Sequence, residues 1–231
     1  MSGLPRTGST LLSAILNQNP KFYSGPTSPV VKTFYKLTEF FNNEELFVAY
    51  PKVNQIEAYI ADFIKYYYAE VNQEVIFDKD RFWTEMIPAI KHYYKIEPKI
   101  ICTVRDIAEI YASIKNTNLK LVDELLTPND NLLLGAYKSL EEAFTKHRNH
   151  IHIVEYNDLA TNPEETMKGI YSFLNEEYYE HTFNDIEQKY IENDLEAYGV
   201  DLHTIRPKLD LSTTKPTQDI IDKCKDMEFW R

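Results

Sequence analysis

A glycine-containing loop between a short apolar segment and a helix places the strongest constraint on the fold of this chain. The first sixteen residues read MSGLPRTGSTLLSAIL, in which four residues separate Gly3 from Gly8, and Ser9 and Thr10 follow. Glycines at this spacing let the backbone turn tightly and bring N–H groups near an anion. Apolar periodicity predicts a helix over about 9–17, whose N-terminus adds a partial positive charge.

The loop departs from the common P-loop pattern at its end. A P-loop continues with Gly-Lys-Ser/Thr, whereas Gly8 is followed directly by Ser9 and Thr10, so the lysine is missing. Arg6 inside the loop supplies a permanent cation whose planar head carries several donors. An ordinary glycine turn before a helix is the alternative interpretation. Since only residues 1–4 precede the turn, we expect either a very short first strand or a chain that has been trimmed upstream.

Short apolar runs alternate with amphipathic segments along the rest of the chain. Three runs read as buried strands, over 74–78, 99–104 and 151–156. Helical spacing predicts helices over about 30–37, 56–67, 83–94, 106–115, 131–149 and 162–174. The stretch KFYSGPTSP reads as a loop from its Gly, Pro and Ser. This alternation predicts an α/β fold, a P-loop-type parallel sheet with helices on both faces, in one domain over residues 1–231.

Three basic residues each come directly after a predicted strand. Arg6 follows the first strand, Lys79 follows the strand over 74–78, and Arg105 follows the strand over 99–104. Ligands of parallel α/β sheets bind beyond the carboxyl ends of the strands. We therefore expect these three side chains to meet at one edge of the sheet.

The composition excludes some classes of function. The chain has 231 residues, a net charge of −11 and a pI of about 5.1, which argues against a nucleic-acid partner. No stretch reaches the ~18 apolar residues of a membrane span, and we see no signal peptide. We therefore expect a cytoplasmic protein without a membrane partner. Cys102 and Cys224 are expected to be free thiols.

The loop and the residues that follow it resemble those of a known family. Leu-Pro-Arg-Thr-Gly-Ser-Thr-Leu-Leu, with Asn-Gln-Asn-Pro after it, resembles the 5′-phosphosulfate loop of sulfotransferases. The resemblance is closest to the Arg-type loops of tyrosylprotein and carbohydrate sulfotransferases. It implies that the sulfate donor is 3′-phosphoadenosine 5′-phosphosulfate. The residues that it implies for binding are Pro5, Arg6, Thr7, Gly8, Ser9 and Thr10.

Further motifs agree with this resemblance. The family binds the nucleotide 3′-phosphate with an arginine at a strand end and a serine eight residues later, which here are Arg105 and Ser113. Arginine suits this role because its planar head can hold a phosphate through two parallel hydrogen bonds. The stretch EYNDL contains Tyr156, a residue type that lies near the nucleotide in relatives, although a core tyrosine is the alternative. A basic segment that the family folds over the nucleotide has a local candidate in Arg206 and Lys208.

The resemblance also implies how the reaction is catalysed. The stretch FDKDRF resembles the Lys-Asp-Pro-Phe segment of tyrosylprotein sulfotransferases, so Lys79 is expected near the leaving phosphate. A sulfuryl group would be transferred to a hydroxyl or amine through a loose transition state, as in phosphoryl transfer. Arg6, Lys79 and the helix start can stabilise the charge that develops on the bridging oxygen, so no metal is expected.

The general base is the gap in this assignment. The Arg-type relatives carry a glutamate 21 residues after the loop arginine, and that position is Thr27 here. We expect the base elsewhere, with Asp78 or Asp80 favoured over Glu85 and His92. Thr27 and Ser28 are expected to line the acceptor pocket. Two alternatives are that the acceptor needs little activation and that the protein binds the nucleotide without turnover.

Two other classes of function stay open at this stage. A P-loop kinase for a small molecule would need ATP and magnesium, and the missing lysine argues against it. A non-catalytic nucleotide-binding protein would show binding without transfer. His147, His150 and His152 lack an acidic or cysteine partner at ligand spacing, so we do not expect a metal site there. The sequence leaves the acceptor, whether small molecule, sugar or peptide, and the oligomeric state undetermined.

Overall fold

Parallel strands form the centre of the molecule. The computed structural model describes residues 1–117, 124–211 and 214–231. Within these ranges the strands are β1 (Ser2–Gly3), β2 (Phe22–Thr27), β3 (Val75–Lys79), β4 (Ile100–Val104) and β5 (Ile151–Glu155). They pair in parallel as β1-β4-β5 and as β2-β3. The Asp80 amide donates to the Met1 carbonyl over 3.1 Å, so β3 ends beside β1 and the strands follow the order β2-β3-β1-β4-β5.

Helices connect and cover these strands. Their bounds are α1 (Ser9–Leu16), α2 (Val30–Asn43), α3 (Glu45–Ala49), α4 (Val53–Tyr67), α5 (Ile87–Tyr94), α6 (Ile107–Lys115), α7 (Leu134–Lys146), α8 (Tyr156–Thr161), α9 (Pro163–Leu174), α10 (Asp194–Tyr198) and α11 (Gln218–Cys224). None of the described helices is both long and apolar enough to cross a membrane.

The alternating side chains of β4 show that the sheet is covered on both faces. Ile100, Cys102 and Val104 belong to one buried cluster together with residues of α2, α5, α6 and α7. Ile101 points into a second cluster, which it shares with residues of α1 and α9. Successive residues of a strand face opposite sides of a sheet, so the two clusters are two separate cores. The predicted α/β fold with flanking helices is confirmed.

The prediction of a loop over 21–29 is wrong, because β2 occupies Phe22–Thr27. The Asn17 side chain donates to the Ser24 carbonyl over 2.7 Å and accepts from the Ser24 amide over 2.8 Å. Gly25 and Pro26 lie where the pairing with β3 shifts register, and proline is tolerated at such irregularities. Contacts with distant parts of the chain thus override the local turn composition.

The predicted strands and helices are otherwise present, with shorter helices at two places. The helix predicted over 131–149 begins only at Leu134. Asp130 causes this delay, since its carboxylate accepts from the amides of Leu132 and Leu133 over 2.9 and 2.8 Å and so holds a turn. The helix predicted over 83–94 begins at Ile87, after a run of turns.

Candidate active site

The loop between β1 and α1 is anchored to β4. The Leu4 amide donates to the Thr103 carbonyl over 2.9 Å. The Thr7 hydroxyl is buried, donates to the Leu4 carbonyl over 2.7 Å and lies 2.6 Å from the hydroxyl of Thr103. The side chain of Thr7 therefore holds the loop in shape. It leaves the binding of an anion to the backbone and to its neighbours.

The two glycines of the loop stand where a side chain cannot fit. Gly3 has a φ of 124°, and a Cβ there would lie 2.2 Å from the Thr103 carbonyl oxygen. Gly8 has a φ of 80°, and a Cβ there would lie 2.9 Å from the ring of Tyr156. Gly8 is also the N-cap of α1 and supplies no side chain to the first-turn N–H groups. This arrangement is typical of an anion cradle.

The loop opens into a cavity of about 460 Å³ at the carboxyl ends of the strands. Most residues predicted for the site line this one cavity, namely Pro5, Arg6, Thr7, Gly8, Ser9, Thr10, Thr27, Lys79, Asp80, Arg105, Ser113, Tyr156, Arg206 and Lys208. They come from the ends of all five described strands, from α6 and from the C-terminal segment, as expected for ligand sites of parallel sheets. Asp78 and Ser28 are not among the residues that line it.

The charge of the cavity is opposite to that of the chain. Among the described residues, the basic ones that line it are Arg6, Lys79, Arg81, Arg105, Arg206 and Lys208, and the acidic ones are Asp80 and Asp210. The whole chain carries a net charge of −11. Cations collected in this way focus a positive potential, which favours an anionic ligand.

Arg6 and Arg105 are close enough to influence each other. Burial and then the charge of Arg105 lower the pKa of Arg6. Arg6 donates to the Leu202 carbonyl through Nη1 and to the Ser113 hydroxyl through Nε, the latter over 3.4 Å. Two like charges held together in a partly desolvated place are stabilised by an anion between them.

Arg105 is held in place by two neighbours. Its side chain is buried, and its Nε donates to Glu109 Oε2 on α6 over 2.7 Å. Its guanidinium lies 4.6 Å from the ring centroid of Tyr156, a cation–π geometry. The Tyr156 hydroxyl donates to the Asp210 carbonyl over 2.9 Å, which brings the C-terminal segment over the cavity.

Glu192 is a residue of the site that the sequence analysis missed. Its Oε1 accepts from Lys79 Nζ over 3.0 Å and from the Thr27 amide over 3.1 Å. Both side chains of this ion pair are nearly buried, with 7% and 11% exposed for Lys79 and Glu192. Lys79 Nζ also lies 3.5 Å from the Thr10 hydroxyl. A carboxylate is thus held at the backbone of Thr27, the position where a glutamate was expected.

His203 and Asp194 are two further residues that the sequence analysis missed. His203 lines the cavity, and its Nδ1 lies 2.7 Å from Asp194 Oδ1 and 3.2 Å from Glu192 Oε2. One ligand atom from each of these three residues lies within 4.8 Å of the others. No local spacing signals this cluster, because only the folding of the C-terminal segment brings it to Lys79.

The histidines considered for metal binding lie elsewhere. His150 Nδ1 contacts the Pro98 carbonyl over 3.1 Å, and His152 stacks on Phe173 with ring centroids 5.2 Å apart. In the described ranges, neither belongs to a group that could hold a metal ion. The absence of a metal from the reaction stays a prediction.

The candidate bases named from the sequence occupy different surroundings. The carboxylate of Asp78 accepts from Ser28, Tyr68 and Trp83, in each case over 2.5 Å. Asp80 does line the cavity, and burial raises the pKa of its carboxyl group.

Two further candidates from the sequence analysis lie outside the lining of the cavity. Glu85 accepts from the Tyr35 hydroxyl over 2.8 Å, and His92 pairs with Glu57 over 3.1 Å. The catalytic roles of Asp78, Asp80, Glu85 and His92 stay predictions.

The fold and the cavity define an α/β protein with a cation-lined cavity at the carboxyl edge of a parallel sheet. Residues 1–180 match the model of the Sulfotransferase family, so the chain belongs to this family and is a transferase of sulfuryl groups. No curated protein matches the chain.

Solved structures share the fold. A sulfotransferase domain from the curacin biosynthetic pathway is 15% identical with a TM-score of 0.52, over 78% of this chain and 76% of that one. The sulfotransferase domain from the Synechococcus PCC 7002 olefin synthase is 20% identical with a TM-score of 0.53, over 96% of this chain and 91% of that one. At these identities the likeness is one of fold.

Proposed function

We propose that this protein transfers a sulfuryl group from 3′-phosphoadenosine 5′-phosphosulfate to a hydroxyl or amine of an acceptor. The observation that carries the proposal is the cation-lined cavity of about 460 Å³ into which the β1–α1 loop opens. A donor with phosphates at its 3′ and 5′ positions needs two anion sites. The loop around Arg6 supports one of them, and Arg105 beside Tyr156 supports the other.

The residues of the cavity fit such a donor. Because Gly8 has no side chain, the ring of Tyr156 packs directly on the loop, and the first-turn N–H groups of α1 have no side-chain cap at the N-cap position, so they are available to a phosphate. Tyr156 presents a ring beside Arg105, and an aromatic ring of this kind can stack on a base. Arg206 and Lys208 are exposed at the cavity and are proposed to close over the nucleotide.

In this proposal Lys79 takes the place of the missing P-loop lysine. It projects from the end of β3 and lies within 3.5 Å of Thr10 at the start of α1. When bound, the donor supplies the sulfuryl group and a phosphate as leaving group. Lys79 and Arg6 stabilise the negative charge that develops on that phosphate, which is the main source of catalysis in such transfers. Because the transferred group carries only one charge, these cations suffice without a metal.

Transfer of labelled sulfate from the donor to a panel of sugars, phenols and tyrosyl peptides tests the proposal. Label on an acceptor supports sulfuryl transfer. Binding of 3′-phosphoadenosine 5′-phosphate without any transfer would favour a non-catalytic nucleotide-binding protein. Phosphate transfer that depends on ATP and magnesium would favour the kinase.

A further inference from the structure

Glu192 and His203 both lie close to Lys79. They differ in whether they have an unoccupied atom that could accept a proton from a substrate. Oε1 of Glu192 already accepts from Lys79 and Thr27. Its Oε2 lies 3.2 Å from His203 Nδ1. Glu192 lines a small adjoining pocket and not the large cavity. Both carboxylate oxygens of Glu192 therefore already have partners, and neither faces the large cavity.

His203 has the opposite arrangement. Its Nδ1 is within hydrogen-bond distance of two carboxylate oxygens, on Asp194 and Glu192. Ionised carboxylates only accept, so Nδ1 carries the proton. The described residues place no hydrogen-bond partner on Nε2, and the side chain lines the cavity with 23% of its surface exposed. A neutral imidazole in this state offers a lone pair at Nε2.

Asp194 is built to hold this ring. It is a buried carboxylate, and besides Nδ1 it accepts from the amides of Leu202 and His203 over 2.8 and 2.7 Å. These bonds fix the turn that carries the histidine as well as its tautomer. A carboxylate that orients the Nδ1–H of a histidine is a recurring arrangement for general bases.

We infer that His203 is the general base of the sulfuryl transfer proposed above, with Asp194 as its positioning residue. The inference rests on the proposed function. The acceptor oxygen forms a bond to sulfur while the bond from sulfur to the 5′-phosphate oxygen breaks. The electron pair stays on the phosphate oxygen beside Lys79, and the acceptor proton moves to His203 Nε2. Glu192 links the two ends, since its oxygens contact both Lys79 and His203.

The dependence on acceptor acidity distinguishes a base from a structural residue. In the His203→Gln variant, transfer to an alkyl hydroxyl such as that of methyl glucoside is expected to fall about 10²–10⁴-fold. Transfer to 4-nitrophenol, which is largely ionised above neutral pH, is expected to fall far less. His147→Gln, at the end of α7 and outside the cavity lining, is the matched control.

Two outcomes would overturn the inference. Equal losses with both acceptors would show that His203 acts on structure or donor binding. Loss of activity with a chelator and its recovery with zinc would make Glu192, Asp194 and His203 metal ligands instead.

A spectroscopic measurement separates this inference from the proposed function. In the unliganded protein, the Nδ1 proton of His203 is expected as a low-field NMR resonance that is lost in Asp194→Asn. Absence of that resonance from the wild type would contradict the inference whatever the activity. Failure of the wild type to bind 3′-phosphoadenosine 5′-phosphate or to transfer sulfate would contradict the proposed function and leave the resonance unaffected.

Discussion

Arg6 and Arg105 follow two strands that pair in parallel, and burial together with the nearby charge of Arg105 lowers the pKa of Arg6. The neighbouring strand ends β1 and β4 thus bring two cations to one cavity. Such a pair is unfavourable in the empty site and favourable around an anion. The proximity of these two cations therefore destabilises the empty site and would stabilise the bound donor.

The ion pair of Lys79 with Glu192 is expected to contribute to stability. Lys79→Met leaves a nearly buried carboxylate without its partner, and we expect a loss of about 3–5 kcal/mol in the free energy of unfolding. The double variant with Glu192→Gln should regain much of the lost free energy of unfolding, because no unpaired carboxylate remains. It should regain none of the transfer activity. Urea titration of the wild type, Lys79→Met, Glu192→Gln and the double variant measures the coupling. Lys36→Met, which breaks an exposed pair with Glu39, is the control and should cost at most ~1 kcal/mol.

Alanine substitutions at Gly3 and Gly199 distinguish the cost of backbone strain from the cost of a steric clash. Both glycines have positive φ values, 124° and 74°. A Cβ added at Gly3 would clash with the backbone of β4, whereas a Cβ added at Gly199 would have no neighbouring atom within 4 Å. We expect Gly3→Ala to cost about 2–4 kcal/mol and Gly199→Ala about 1–2 kcal/mol. Thermal unfolding checks this. Equal losses would mean that the approach of the loop to Thr103 is not a constraint.

Asp78 is expected to act on stability, since its carboxylate accepts from three side chains. Burial and then the charge of Asp78 raise the pKa of Tyr68. Asp78→Ala leaves these donors unpaired and should cost on the order of 3 kcal/mol, while nucleotide binding at 25 °C persists. Asp222→Ala, an exposed aspartate on α11, is the control. A stable Asp78→Ala variant without transfer activity would instead return Asp78 to the role of base.

His181 is expected to make stability depend on pH. Its side chain is buried, and its Nε2 lies 3.0 Å from the hydroxyl oxygen of Tyr171. Burial lowers the pKa of His181 from 6.5 to about 4. Between these values the unfolded chain binds the proton and the folded chain does not. Stability is therefore retained above pH 6.5 and falls as the pH drops towards 4, by up to ~3 kcal/mol.

Urea midpoints of the wild type and His181→Gln measure this dependence. The variant cannot be protonated, so its midpoint should change less between pH 7 and pH 4.5. Parallel pH profiles of the two proteins would show that other groups cause the acid sensitivity.

The part of the site that could be predicted lies close together in sequence or directly after strong strand signals. The loop residues are contiguous, and Lys79 and Arg105 each end an apolar run. Parallel topology then brings the strand ends to one edge without further information. Helices and strands are also indicated by periodicity among neighbouring residues, so their order along the chain could be predicted.

The rest depends on contacts between residues far apart in sequence. β2 forms because β3, which lies far along the chain, pairs with it, and the local contact of Asn17 with the backbone of Ser24 only supports this pairing. Glu192 and His203 reach Lys79 only because the segment after α9 returns to the carboxyl edge of the sheet. Composition alone describes that segment as acidic and irregular, which carries no signal for a site.

Calorimetric titration with 3′-phosphoadenosine 5′-phosphate tests the central claim most directly. The wild type should bind with a dissociation constant well below millimolar. Arg6→Ala and Arg105→Ala should each weaken binding at least tenfold, because each removes a cation from an anion site. Lys146→Ala, in an exposed pair with Glu142, should bind as the wild type does. Binding weaker than millimolar that neither arginine variant changes would contradict the account.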